Sequence, residues 1–236
     1  MNHDWTTLLA GTVGSTAYGL NTAESDVDTL AVAAAPTAAF HGLHGPVESH
    51  VTTNPDVTVH EAAKYARLAL KCNPTVTELM WLDEYTEQHP LGTRLVEIRG
   101  AFLSSLHVRN AYLGYATQQF ERLKRRGDGT FSADTRKRTA KHARHLARLC
   151  DQGYQVHAYG RLRIRLDMPQ WYLDFGERVA EQAERGEYGE VEALIASTEA
   201  NFNDTKTVLP DYPDVLAVED WLLRVRSHFY ERGTGR

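Results

Sequence analysis

The sequence predicts an α+β protein, with a small mixed sheet and its helices over residues 1–90 and an α-helical domain over residues 91–236. Three observations carry this. Short apolar runs bounded by turn residues lie before Glu61. At Glu61 the apolar period changes from strand-like to helical. Beyond residue 90 nearly every periodic segment reads as helix. A chain of 236 residues is long enough for one large domain or two small ones.

Taken in order, residues 5–13 are apolar and Thr-rich and read as a strand. Residues 14–25 form a loop with a helical turn around 16–20. Residues 27–34 are an almost unbroken apolar run, the pattern of a strand buried on both faces. Residues 36–46 hold two Pro and two Gly and form a loop, followed by strands at 47–53 and 56–60. Over residues 61–71, Ala62, Tyr65, Ala66, Leu68, Ala69 and Leu70 mark one face of a helix. Asn73-Pro74 ends it, since Pro cannot continue the ladder and Asn tolerates a C-cap. A further helix starts over 75–82. The remaining helices are expected at 92–106, 110–125, 132–150 with Ser132 as N-cap, 169–184, 188–200 and 213–230. Residues 154–166 are the exception: Val156, Tyr159, Leu162, Ile164 and Leu166, broken by Gly160, suggest a short hairpin. The boundary near residue 90 falls at Gln88-His89-Pro90-Leu91-Gly92. There is no internal repeat and no low-complexity tract.

With 42% hydrophobic and 24% charged residues, the composition is that of an ordinary globular chain rather than a disordered or membrane-embedded one. The net charge of −5 gives no global signature of nucleic-acid binding, but its distribution does. Between Arg122 and Arg148 ten Lys and Arg, among them Arg125, Arg126 and Arg138, are opposed only by Asp128 and Asp134. Such a local field attracts phosphates even on an acidic protein. Cys72 and Cys150 form no Cys-x-x-Cys pair, so no zinc site is indicated, and a reducing cytoplasm is the simple expectation. The N-terminus has neither the basic region nor the apolar core of a secretory signal. No stretch approaches the roughly 18 apolar residues a membrane span needs.

The chemistry concentrates in Val13-Gly14-Ser15 and, ten residues on, Asp26-Val27-Asp28. Gly14 lets the backbone turn tightly and approach a ligand closely. Ser15, followed by Thr16, offers a hydroxyl and an N–H to a phosphate. Residues two apart on a strand share a face, so Asp26 and Asp28 are expected to present their carboxylates side by side. Two such carboxylates repel unless a cation lies between them, and hard oxygen ligands suit Mg2+ or Mn2+. Asp-x-Asp also caps turns, but its pairing with Gly-Ser at this gap, between two apolar runs, favours phosphoryl transfer. A two-ion site ordinarily has a third carboxylate on a neighbouring strand. Asp56, opening Asp56-Val57-Thr58-Val59, is the best candidate for metal ligand and base, with Glu48 and Glu61 as rivals. In a second group, Lys141, His145 and Arg148 fall at i, i+4 and i+7 on one helix face, with His142 beside them. A basic face of this kind suits a triphosphate and its pyrophosphate leaving group.

These motifs resemble those of the DNA polymerase β-like nucleotidyltransferase superfamily. The pieces Gly14–Gly19, Ser25–Asp28, 68–79 with its Asn73-Pro74 and Glu78, 141–149, 185–187 and Leu209-Pro210 narrow the likeness to a bacterial and phage subfamily associated with RNA repair. Cys72 stands where that subfamily often has Gly. The resemblance implies a polymerase-β-like core and a magnesium-dependent enzyme with two ions held by Asp26, Asp28 and Asp56. It also implies nucleotide contacts from Gly14, Ser15, Thr16, Lys141, His145 and Arg148, with Asn73 and Glu78 as further candidates. The expected reaction moves a nucleoside monophosphate from an NTP to an acceptor hydroxyl, with an RNA 3′ end as the implied acceptor. Transfer to a protein or a small molecule, and a catalytically silent nucleotide- or RNA-binding or antitoxin-like module, are the alternatives. Intact Ser15, Asp26 and Asp28 argue against silence, and the basic run favours a polyanionic acceptor.

Overall fold

The computed structural model describes residues 5–22, 25–126 and 133–230. They fall into two compact units, one within Met1–Leu103 together with Tyr212–Arg236, the other Ser104–Asp211. The first unit thus runs past the expected boundary near residue 90, through Leu103, and takes in the last helix as well. Among the described residues no helix is long and apolar enough to cross a membrane.

The first unit is built on a five-stranded sheet of order β3-β4-β2-β1-β5. Its strands are β1 (Thr6–Val13), β2 (Asp28–Ala34), β3 (Ser49–Thr53), β4 (Asp56–Glu61) and a short β5 (Glu87–Gln88). β2 is central, antiparallel to β1 and parallel to β4. Its run from Leu30 to Ala34 is buried throughout, as the unbroken apolar sequence requires. β3 returns antiparallel on β4 through Asn54-Pro55. β5 escaped the sequence because two polar residues carry no period. It exists because it pairs with Leu9 and Ala10 of β1.

A short helix α1 (Gly14–Tyr18) follows β1, and α2 (Ala62–Ala69) packs on β2 and β4. α2 ends differently from the expectation. The residue in the left-handed conformation is Cys72, with φ of 51°, not Asn73. The Cys72 N–H donates to Ala69 O, and the Asn73 N–H to Leu68 O, the paired bonds of a glycine-type helix end. Asn73 instead caps the next helix, α3 (Pro74–Thr77), its Oδ1 accepting from the Thr75 N–H at 3.2 Å. The expected helix at 92–106 is broken into α4 (Pro90–Glu97) and a 3-10 turn (Arg99–Phe102), and extended backbone at Leu103 closes it. The unit is completed by α9 (Val215–Tyr230), whose Trp221 donates its indole N–H to Leu91 O at 2.8 Å.

The second unit consists of α5 (Ser105–Arg126), α6 (Ala133–Tyr159), α7 (Pro169–Glu184) and α8 (Gly189–Asp204). α6 runs through its centre, with Ala140, Ala143, Leu146, Ala147, Leu149 and Cys150 buried. The hairpin expected at 154–166 is not formed. Helical spacing continues through the buried Gln152 and Val156, and α6 ends only at Tyr159, where Gly160 adopts φ of 66°. Beyond it Leu162, Ile164 and Leu166 are buried and alternate with exposed arginines, but no strand pairs with them. Ser132, the expected N-cap of α6, lies outside the described residues, as do the side chains of Arg125 and Arg126.

Candidate active site

β1 and β2 meet so that Val13 faces Asp28, the last residue of one strand opposite the first of the other. The chain then turns at Gly14, whose φ is 70°. A methyl carbon placed on Gly14 would lie 2.2 Å from Asp28 Oδ2, so the carboxylate rests directly against the bare α-carbon. This is the close approach that only glycine allows. Ser15 and Thr16 follow at once in α1, both partly exposed.

α1 is held from below. Tyr18, its last residue, is buried and donates its hydroxyl to Oε2 of Glu78, itself 2% exposed. Glu78 opens the 3-10 turn Glu78–Trp81 directly after α3, and Tyr65 donates to the nearby Val76 O at 3.1 Å. Burial raises the Tyr65 hydroxyl above its ordinary pKa, reinforced by Tyr85 and Glu78, so it stays a donor. The Asn-Pro-x-x-x-Glu motif thus underpins the Gly-Ser turn.

In the parallel β2–β4 ladder Thr29 faces Val57. One residue back on each strand stand Asp28 and Asp56, both first residues of their strands. Matching positions on neighbouring strands project to one face, so these two carboxylates belong to the same level of the same face. Asp26 is exposed and lies two residues before β2 begins. Strand alternation therefore does not of itself set it beside Asp28. Among the described residues no three His, Cys, Asp or Glu side chains stand close enough together to hold an ion.

The two rival carboxylates have other employment. Glu61 is buried, accepts from the Ala63 N–H at 2.8 Å to cap α2, and receives both Arg226 nitrogens, at 2.7 and 2.9 Å. Glu48 is exposed and pairs with Arg67 and, at 3.2 Å, with Lys64. The donors at the strand starts are carboxylate oxygens without sulfur or imidazole, a chemistry that fits Mg2+ or Mn2+.

In the second unit Lys141, His145 and Arg148 occupy α6 at the expected spacing, but only Lys141 is exposed. Arg148 is 1% exposed and donates to Gln152 Oε1 at 2.5 Å and to His145 Nδ1 at 2.9 Å. A guanidinium only donates, so His145 accepts at Nδ1 and carries its proton on Nε2. Burial, reinforced by Arg148, His142, Lys141 and Arg122, holds His145 down to about 3. His142 donates from Nδ1 to Gln119 Oε1 at 2.7 Å. Much of the basic run is compensated locally, with Lys124 on Glu121, Arg136 on Glu177 and Glu184, and Arg138 on Asp134.

Two participants escaped the sequence reading. Tyr18 lies inside the Gly14–Gly19 piece, where its spacing from the Gly-Ser pair offered a signal. Arg226 is 165 positions from Glu61, and nothing local points to it.

No curated protein matches the chain. Among solved structures, a nucleotidyltransferase-like protein from Exiguobacterium sibiricum is similar at 11% identity and a TM-score of 0.32, over 94% of this chain and 74% of its own. The family model for the RNA repair pathway DNA polymerase beta family matches residues 1–204. With that match spanning both the Gly14–Asp28 turn and the helical unit, the chain belongs to the RNA repair pathway DNA polymerase beta family and is a polymerase-β-like nucleotidyltransferase.

Proposed function

We propose that the chain transfers a nucleoside monophosphate from an NTP to an acceptor hydroxyl, and that the acceptor is an RNA 3′ end. The observation that carries this is the Asp28 carboxylate lying on Gly14 at the mouth of the Ser15 turn, level with Asp56 on the parallel strand. In this reading the acceptor oxygen attacks the α-phosphorus, and the bond to the pyrophosphate oxygen breaks. Asp56 takes the proton of the attacking hydroxyl at a carboxylate oxygen. Ser15 and Thr16 hold the phosphate tail through hydroxyl and N–H donors, and Gly14 leaves room for Asp28 to keep its place. Asp28 and Asp56 would hold Mg2+ or Mn2+, which when bound supplies positive charge to the developing oxyanions, and Asp26 would join them only by a shift of the segment before β2.

The polyanionic acceptor is supported by the exposed Lys137 and Lys141 on α6 and by the family's description. The test is to incubate the protein with each α-labelled NTP, magnesium, and total RNA or total protein. Label is expected on RNA, removed by 3′-end oxidation of the acceptor. Label on protein alone would refute the RNA acceptor, and label nowhere with any NTP would refute the transfer.

A further inference from the structure

We infer that the segment from Tyr159 to Trp171 is a docking strip for single-stranded RNA, separate from the Gly14–Asp28 site. After α6 ends at Gly160, Leu162, Ile164 and Leu166 turn inward, and Arg161, Arg163 and Arg165 are exposed. The backbone is pinned, since Gln152, itself buried, donates its side-chain amide to Arg163 O at 3.0 Å. The arginines are therefore presented from a fixed track rather than from a free loop. Only Asp167 opposes them in this stretch, paired with Arg163. Residues two apart span at most about 7 Å, the order of the step between successive phosphates of an extended strand.

The ends of the track carry aromatics. Tyr159 is 61% exposed. Trp171, 40% exposed, lies nearly parallel on the buried Phe175, with ring centroids 5.3 Å apart and planes 14° apart. A ring held rigid from one side is a stacking platform for a base. Arginines between two exposed aromatics suit a strand whose phosphates and bases are both accessible. An acidic peptide would use the arginines but not the rings, and a duplex would hide its bases.

Binding is measured by fluorescence anisotropy of a short labelled oligouridylate, without NTP, over a salt series. The outcome is then independent of whether the chain transfers nucleotides. The double change Arg161→Ser, Arg165→Ser should weaken binding about tenfold at low salt and flatten the salt slope by about 1.4, two lost contacts at about 0.7 each. Trp171→Ala should weaken binding about tenfold with the slope kept, because stacking releases no counterions. All three side chains are exposed, so the variants should stay folded, which circular dichroism checks. Unchanged affinity in the double variant, or equal losses for a duplex of the same length, would overturn the proposal.

Discussion

Gly14→Ala isolates the contact on which the active-site reading turns. The new methyl would lie 2.2 Å from Asp28 Oδ2 and 3.2 Å from its Cγ, which puts the oxygen more than about 1 Å inside van der Waals contact. The carboxylate must swing away, because the backbone on both sides is fixed by the β1–β2 ladder. Alanine at φ of 70° costs a further 1–2 kcal/mol, roughly. For a chain of this size that lowers the melting temperature by about 2–8 °C. A catalytic group displaced by about 1 Å costs on the order of a hundredfold. The assay is single-turnover transfer of label from the preferred NTP, with thermal unfolding by circular dichroism on the same preparation. Gly45→Ala is the control, since a methyl there meets nothing within 4 Å. A folded Gly14→Ala variant transferring label within about threefold of wild type would show that the carboxylate need not occupy that place.

Asp56→Asn should lower the transfer rate about a hundredfold or more at unchanged melting temperature. Glu61→Gln should do the reverse, weakening the part-buried pair with Arg226 at a cost of about 1–3 kcal/mol while the folded fraction keeps its rate. Calorimetry and initial rates on both variants decide between them, and a rate loss confined to Glu61→Gln would exchange their roles. Tyr18→Phe removes the support of α1 beneath Ser15 and should raise the KM for NTP more than it lowers kcat. Equal kcat and KM with wild type would detach Tyr18 from the site. His145 is held at about 3 against an ordinary 6.5, so the folded chain binds fewer protons than the unfolded one between those values. Its contribution is full above pH about 6.5 and is lost as the pH falls, by about 2 kcal/mol at pH 5. Urea titrations should show this loss in wild type but not in His145→Gln, and parallel pH profiles would refute it.

The legible parts of the fold are those whose signal is local. β2 was visible because an unbroken apolar run can only be buried, and α7 because Pro169 opens it and its period holds to Glu184. β5 was invisible because the reason for it lies on β1. The misread hairpin shows how two patterns can overlap. Residues 154–159 continue the helical period of α6, whereas 161–166 alternate, and a window across Gly160 sees only apolar residues around a glycine. The alternation was physically real, since Leu162, Ile164 and Leu166 are buried. What it reports is one covered side of the chain, and a ladder needs a partner besides.

The candidate site divides in the same way, and the division explains why the third carboxylate stayed open in the sequence. Asp28 and Gly14 come together because β1 and β2 pair so that Val13, the neighbour of Gly14, faces Asp28. Asp56, Glu48 and Glu61 are all acidic residues at the ends of strand-like runs, and composition cannot rank them. What separates them is register and partners. Asp56 stands one step before a Thr29–Val57 pair, which sets it level with Asp28. Glu61 lies at the far end of the same strand, buried under a guanidinium from the C-terminal helix. A carboxylate that both caps a helix and receives a two-pronged arginine has its lone pairs committed, and releasing them would leave a half-buried cation without its carboxylate. Glu48 is exposed but shared between Lys64 and Arg67, just before the strand that lies beyond β4 from Asp28. On the proposed reading the exposed acid at the start of β4 is therefore the third carboxylate, while the buried one at its end caps the helix that follows.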